Sequence, residues 1–362
     1  MFYIKNLKLN NFRCFKSIEF NFSPNINMLI GLNGVGKTSV VEGISYLCLG
    51  KSFKNAKDKD VLRNEAEYFN IISTIYSNDD ERIVIGYDGQ HKRIKKGEKI
   101  CKTLSEHVGE YKLISFSPDD LYIIKGAPAE RRQFLDTFIS QIDTLYLKTL
   151  SEYKKILKIR NEFLKNIIDN NYDKVMFDII NQKLIANGKK VVELREKYIS
   201  ILKNKIKLVS NDLFHKEMNI EIEYIPDVAL VNYEKEISEC VNIDLLSKIT
   251  TKGPQKDDIC IYINNKNANT FSSQGQIRIA VLSMKLAVYE IFKEIDDNII
   301  IVLDDVLSEL DKNKQIYLLN YVKKVGQIFI TTTDIDKIPE DVKENSNIIE
   351  IKEGVYNVWY KR

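Results

Sequence analysis

Apolar residues change their spacing several times along this chain, and each change marks a different kind of element. Near the start, Ile18-Glu19-Phe20-Asn21-Phe22 alternates with period two, and residues 71–76, 82–87 and 113–116 read as further half-buried strands. Between Pro128 and Pro226 there is no proline and a single glycine, Gly188, while Ile, Lys, Leu, Asn and Glu dominate. That is helical composition. Phe134, Phe138, Ile142 and Leu145 recur at steps of three and four, and Tyr153, Ile156, Leu157, Phe163 and Leu164 continue the apolar face. The polar patch Asp169-Asn170-Asn171 divides this stretch into two helices of about 40 residues, which would form an antiparallel arm about 60 Å long. A helical bundle folded over the core is the alternative.

Beyond Pro226 the β pattern returns in residues 259–263. A long amphipathic helix follows from about Ser273, with Ile277, Val281, Met284, Val288 and Phe292 on one face. Residues 299–303 are then apolar at every position, as in a parallel strand covered on both sides. Three segments result: residues 1–127, strand-rich; 128–226, a helical insertion; and 227–362, completing the unit begun by the first.

The junction after the apolar run 26–30 carries the clearest chemistry. Gly31-Leu32-Asn33-Gly34-Val35-Gly36-Lys37-Thr38 satisfies G-x-x-x-x-G-K-[ST] in full and leads into the amphipathic residues Val40, Val41, Ile44, Leu47 and Cys48. Glycines allow successive backbone N–H groups to converge on phosphates, and a helix starting near Lys37 adds its positive dipole end. Lys37 would reach the β/γ-phosphates of ATP, and Thr38 would hold Mg²⁺. Asp304 ends the buried strand at its carboxyl edge, as a Walker B carboxylate steering Mg²⁺. Asp305 beside it would polarise the attacking water. Ser273-Gln274-Gly275-Gln276 opens the long helix about 30 residues upstream of Asp304 and matches the S-x-G-Q signature of ABC-type ATPases. In that class Ser273, Gly275 and Gln276 would face the nucleotide of the opposite subunit. Ser308-Glu309-Leu310-Asp311 matches a D-loop. No Q-loop glutamine is evident; Lys112 lies near its expected place.

Composition adds bounds. A hydrophobic share of 44%, a charged share of 29% and a net charge of +3 describe an ordinary globular chain with no global preference for nucleic acid. Five dispersed cysteines without C-x-x-C indicate reduced thiols rather than a disulfide framework or a zinc site. His91, His107 and His215 read as solvated surface residues. With no apolar stretch of about 18 residues, the expectation is a soluble cytoplasmic protein. Lys92, Arg93, Lys95 and Lys96 form the densest basic run, and Arg131 and Arg132 stand at the root of the helical insertion. These six are candidates for DNA phosphate contact, with edge-guarding or solvated cations as the other reading.

Taken together, Phe12-Arg13, residues 31–38, Lys51-Ser52-Phe53, Ser117-Pro118-Asp119-Asp120-Leu121, Lys125-Gly126, Arg131-Arg132-Gln133-Phe134-Leu135-Asp136, Gly253-Pro254, Ser273-Gln274-Gly275-Gln276, residues 303–311 and residues 327–333 resemble the RecF family, related to SMC proteins. The resemblance covers nearly the whole chain. It implies an α/β ABC-type ATPase head, with a P-loop sheet, helices and an antiparallel β subdomain, carrying an inserted helical arm domain. It also implies Arg13 among the ATP-binding residues, weak ATP hydrolysis, ATP-driven homodimerisation, and binding of duplex DNA at single-strand gaps. RecO and RecR would be partners in loading RecA, supporting replication and the SOS response. Departures from the family pattern are Gln255-Lys256, Ile277 and Lys54, the last where arginine is common. An SMC-like ATPase with a long coiled coil is disfavoured by an insertion of about 100 residues, too short for a long arm. A transporter-energising subunit and a binding switch with negligible turnover are the other rivals.

Overall fold

A computed structural model describes residues 2–167, 172–214, 218–323, 326–352 and 355–359. The chain divides into two units, one made of Met1–Asp120 with Tyr289–Arg362, the other of Leu121–Val288.

The first unit holds two six-stranded sheets. One runs in the order Val355–Trp359, Ser346–Lys352, Ile26–Ile30, Gln327–Thr332, Ile299–Asp304, Lys112–Phe116, parallel throughout except at its first strand. Every residue of Ile299–Asp304 and Gln327–Thr332 is buried, which explains why these strands show no alternation. The other sheet is antiparallel, in the order Phe15–Asn21, Tyr3–Phe12, Phe69–Tyr76, Asp80–Tyr87, Lys92–Lys96, Lys99–Cys101. In Phe69–Tyr76 buried and half-buried positions alternate strictly, the pattern of a sheet packed on one face. Helix Lys37–Leu49 packs between the inner faces through Val40, Val41, Ile44 and Leu47, all fully buried. Burying four such side chains contributes roughly 6–12 kcal/mol before entropy is counted.

The second unit contains the helical insertion and more. Pro128–Ser140 and Thr144–Lys165 precede the 41-residue helix Lys174–Phe214, about 60 Å long at 1.5 Å per residue. Asp143 pairs with Tyr198, Tyr146 with Arg195, Arg160 with Asn181, and Phe163 with Phe177, so the two long elements run antiparallel. The expected antiparallel pair is present, but its first member is broken near Gln141 into two helices. The Asp169-Asn170-Asn171 patch lies outside the described residues. Gly188 sits where a Cβ would stand 2.0 Å from the Tyr233 hydroxyl oxygen, so the segment's single glycine makes room for a packed tyrosine.

The helical stretch is not a unit by itself. A three-stranded antiparallel sheet of Lys266–Asn267, Asp258–Ile263 and Ile220–Ile225 belongs with it, as does most of helix Gln274–Lys293. The expected boundary at residue 226 gives way to one inside that long helix because buried charges tie arm to sheet. Arg195, 2% exposed, donates to Asp136 at 2.8 Å and to Asp257 at 2.7 Å. Arg160, fully buried, donates to Asp244 and Thr250. Such pairs fix geometry, because removing one partner leaves an uncompensated buried charge.

Candidate nucleotide-binding site

Strand Ile26–Ile30 delivers the chain to the P-loop, and helix Lys37–Leu49 begins at its end. Gly36 takes φ +106°, and a Cβ there would lie 2.5 Å from the Phe15 ring. Gly31, at φ +154°, would meet the Ile351 carbonyl oxygen at the same distance. Both positions therefore demand glycine. The helix start has no side-chain cap and no acidic residue in its first turn, leaving its first N–H groups to an external anion. Lys37 is 7% exposed and donates to the carbonyl oxygens of Gly31 (2.7 Å) and Leu32 (2.8 Å), folded over the loop it would serve. Burial lowers its pKa, and Asp305 and Asp304 pull it back up.

Opposite the loop, Asp304 is 2% exposed. Thr38 Oγ1 donates to Asp304 Oδ1 at 2.9 Å, and Thr331 Oγ1 donates to the same oxygen at 2.8 Å. Residues 266 positions apart are thus joined directly, because the strand that leads into the P-loop, Ile26–Ile30, and the strand that ends in Asp304 flank Gln327–Thr332 on its two sides. Asp305 adopts the left-handed conformation, φ 55°, with its N–H donating to Thr331 Oγ1 at 3.0 Å. The strand thus ends at Asp304, and the chain turns at Asp305. Ser308 Oγ donates to the Asp305 carbonyl oxygen at 2.7 Å, and Asp311 caps helix Lys312–Val322 through the Lys314 N–H. Ser308 therefore braces the turn at Asp305, while Asp311 fixes the start of the next helix.

At the signature, Ser273 N–H donates to Gln276 Oε1 (2.9 Å) and Gln276 N–H donates to Ser273 Oγ (3.3 Å). This reciprocal pair is a capping box. Ser273, Gln274, Gly275 and Gln276 are all exposed, and a Cβ at Gly275 would meet nothing within 4 Å.

The chain as a whole, and the fold that carries these residues, is similar to known proteins. The chain matches the family model "RecF/RecN/SMC N terminal domain" over residues 3–357. It is 37% identical to the DNA replication and repair protein RecF of Clostridium acetobutylicum, over 97% of this chain and 98% of that one. It is 36% identical to RecF of Clostridium kluyveri, with the same coverage. The chain belongs to the RecF family. A solved structure described as the recombination mediator protein RecF-ATP in the RecFOR pathway superposes with TM-score 0.90 at 30% identity, covering 99% of this chain and 98% of that chain. An Smc head from Pyrococcus furiosus shares the fold, at TM-score 0.53 and 17% identity. As a RecF-family member the chain is an ATP-dependent protein of DNA repair and recombination with weak ATPase activity.

Several expectations shift against this RecF frame. Arg13, expected at the nucleotide, is forked onto Glu42 at 2.6 and 2.7 Å, and its third nitrogen donates to the Asp60 carbonyl oxygen. Glu42 also accepts from Ser52 at 2.5 Å. This buried carboxylate anchors the segment after the P-loop helix, a role its sequence position gave no sign of. Lys112, near the expected Q-loop, lies at the wrong end of its strand: it pairs with Asp296, while Phe116 reaches the level of Leu303. Arg131 is 8% exposed and forked onto Asp258, so it locks the start of helix Pro128–Ser140 to the sheet strand instead of facing DNA. Arg132 donates to the Asp257 carbonyl oxygen. In the basic run, Lys92 is held by Asp58 and Lys96 is buried against Glu110; Lys95 meets exposed Glu98, and Arg93 is exposed. Strand alternation divides the run, which is why four cations in sequence do not make one surface. His107, expected in solvent, is fully buried with Nε2 3.3 Å from the Tyr46 carbonyl oxygen. His91 is exposed, and His215 lies outside the described residues.

Proposed function

We propose that this protein is a nucleotide-gated DNA clamp, in which ATP and Mg²⁺ bound at residues 31–38 and Asp304 draw two copies together around gapped duplex DNA. The observation that carries it is the 2.9 Å Thr38–Asp304 hydrogen bond, which brings two hard oxygen donors to one point beside the P-loop. Hydroxyl and carboxylate are the donors Mg²⁺ prefers, and the Lys54 ammonium resting on Asp304 Oδ2 at 3.2 Å is a stand-in for a cation there. Mg²⁺ would neutralise charge between the β- and γ-phosphates. Lys37 would exchange the Gly31 and Leu32 carbonyls for phosphate oxygens, and Asp305 would accept a hydrogen bond from the attacking water.

Ser273, Gly275 and Gln276 would cap the γ-phosphate held by the second copy. Support comes from Gly275: glycine near a helix start costs up to about 1 kcal/mol relative to alanine, and no neighbour in the fold demands it. An approach from outside the chain explains it. RecO and RecR are the partners that the family's pathway suggests, with RecA loading on gaps as the outcome. Of the basic candidates, Arg93 and Lys95 are best placed for phosphate.

The test is binding to a labelled gapped duplex with and without ATP–Mg²⁺, comparing the unsubstituted protein with Ser273→Arg. ATP-dependent binding that the variant loses is the expected result. Binding indifferent to ATP would overturn the clamp.

A further inference from the structure

The carboxylate assigned to Mg²⁺ already has a cation leaning on it. Lys54 Nζ stands 3.2 Å from Asp304 Oδ2, the oxygen that neither Thr38 nor Thr331 uses, and 3.9 Å from Asp119 Oδ2. The two acids differ sharply in setting: the Asp304 side chain is 3% exposed, the Asp119 side chain 64%. A buried carboxylate left with one bare oxygen is costly, so Asp304 is where the ammonium gains most. Asp119, in water, holds a cation only weakly. Topology brings the three together. Asp119 follows strand Lys112–Phe116, whose parallel neighbour Ile299–Asp304 ends in Asp304. Lys54 sits in the segment that Ser52 pins to Glu42.

We propose that Lys54 is a tethered ammonium that neutralises Asp304 until Mg²⁺ arrives with nucleotide, and is then passed to Asp119. This rests on the assignment of Mg²⁺ to Thr38 and Asp304. A divalent ion and an ammonium repel each other strongly at one buried carboxylate, so entry of the metal must break the Lys54–Asp304 contact. Asp119 lies within reach of the same ammonium by side-chain rotation, with no backbone movement. Lysine suits this role because its ammonium is a compact charge on a flexible stem, whereas a guanidinium fork is committed to planar geometry. Lys54 is thereby a positioning residue. It sets how much Mg²⁺ is needed before ATP is held, and it keeps the Walker B carboxylate from repelling phosphate when the metal is scarce.

The experiment is equilibrium binding of a fluorescent ATP analogue to the full chain as Mg²⁺ is titrated, with a parallel measurement in EDTA. Turnover is not needed. Lys54→Met is expected to lower the half-saturating Mg²⁺ at least threefold while weakening binding in EDTA. Asp119→Asn, which leaves the ammonium nowhere else to go, is expected to raise the half-saturating Mg²⁺ by a similar factor. Lys54→Arg should restore binding in EDTA yet hold the midpoint above that of Lys54→Met. Midpoints that stay at the unsubstituted value in both Lys54→Met and Asp119→Asn, or that move in the same direction, would overturn the hand-off alone. Nucleotide binding by the unsubstituted protein that ignores Mg²⁺ would overturn the metal assignment and the hand-off with it.

Discussion

Asp305 occupies φ 55°, ψ 13°, a region that costs most side chains about 1 kcal/mol but that Asn and Asp tolerate. This separates its two possible contributions. Asp305→Asn keeps the backbone and removes the charge, so ATP binding should persist while hydrolysis falls by at least a hundredfold in a phosphate-release assay. Full turnover in that variant would place the water-activating group elsewhere. Lys37→Met acts earlier. It deletes the ammonium that now bridges the Gly31 and Leu32 carbonyls, and equilibrium dialysis should find nucleotide binding abolished. At this scale the sequence spoke clearly where chemistry demands a fixed spacing, as in residues 31–38 and Asp304-Asp305. It assigned no role of their own to Glu42, Asp119 and Thr331, whose partners are brought to them only by the fold.

Elements carry the next set of consequences. The capping box at Ser273 and Gln276 makes this serine both a structural cap and a candidate phosphate ligand. Ser273→Asp separates the two roles, since aspartate caps a helix as well as serine but sets a negative charge against phosphate. Its thermal midpoint should match the unsubstituted protein, while ATP-dependent dimerisation measured by light scattering should disappear. Retained dimerisation would remove the signature from the assembly. In the arm, Gly188→Ala gains up to about 1 kcal/mol of helix propensity and loses more to the Tyr233 clash; overpacking of this kind costs about 1–3 kcal/mol. A lowered denaturation midpoint is the expected net result. Periodicity pointed to helices here and left paired arm and bundle both open; it did not show that the first helix breaks near Gln141, because the apolar stripe runs through the break. Arm and small sheet share a unit through Arg195, Asp136 and Asp257, and no local pattern announces a charge cluster that closes only in space.

For the molecule as a whole, His107 links pH to folding. Burial, with Lys96 nearby, lowers its pKa from 6.5 to about 4. Its hydrogen bond to the Tyr46 carbonyl oxygen and the nearby Glu110 only partly offset the shift. The unfolded chain therefore binds a proton that the folded chain resists, so the stability contributed is present in full above pH 6.5 and is lost as pH falls toward 4. A shift of that size corresponds to about 3 kcal/mol. Asp257, whose carboxyl burial pushes up against the pull of Arg195, acts in the opposite sense. Comparing the unsubstituted protein with His107→Gln isolates the histidine: urea midpoints measured from pH 7.5 to 4.5 should fall more steeply for the former. Parallel curves would show that His107 does not carry the dependence.

What the sequence by itself determined is whatever depends on neighbours along the chain: the P-loop, the buried Walker B strand, the signature cap, the helical texture of the insertion and the family to which the whole chain belongs. Glycine conformations, capping residues and apolar periods act over a few positions, so they are written locally. What only the tertiary structure decided is which charges remain available. Arg13, Lys92, Lys96 and Arg131 read as free cations in a string of letters, yet each is held by a carboxylate that strand pairing or a helix brings from elsewhere, from Glu42, Asp58, Glu110 and Asp258. The physical reason is desolvation: a cation placed in or near a buried layer must find its counter-charge across the fold, and that partner lies at no fixed distance in sequence.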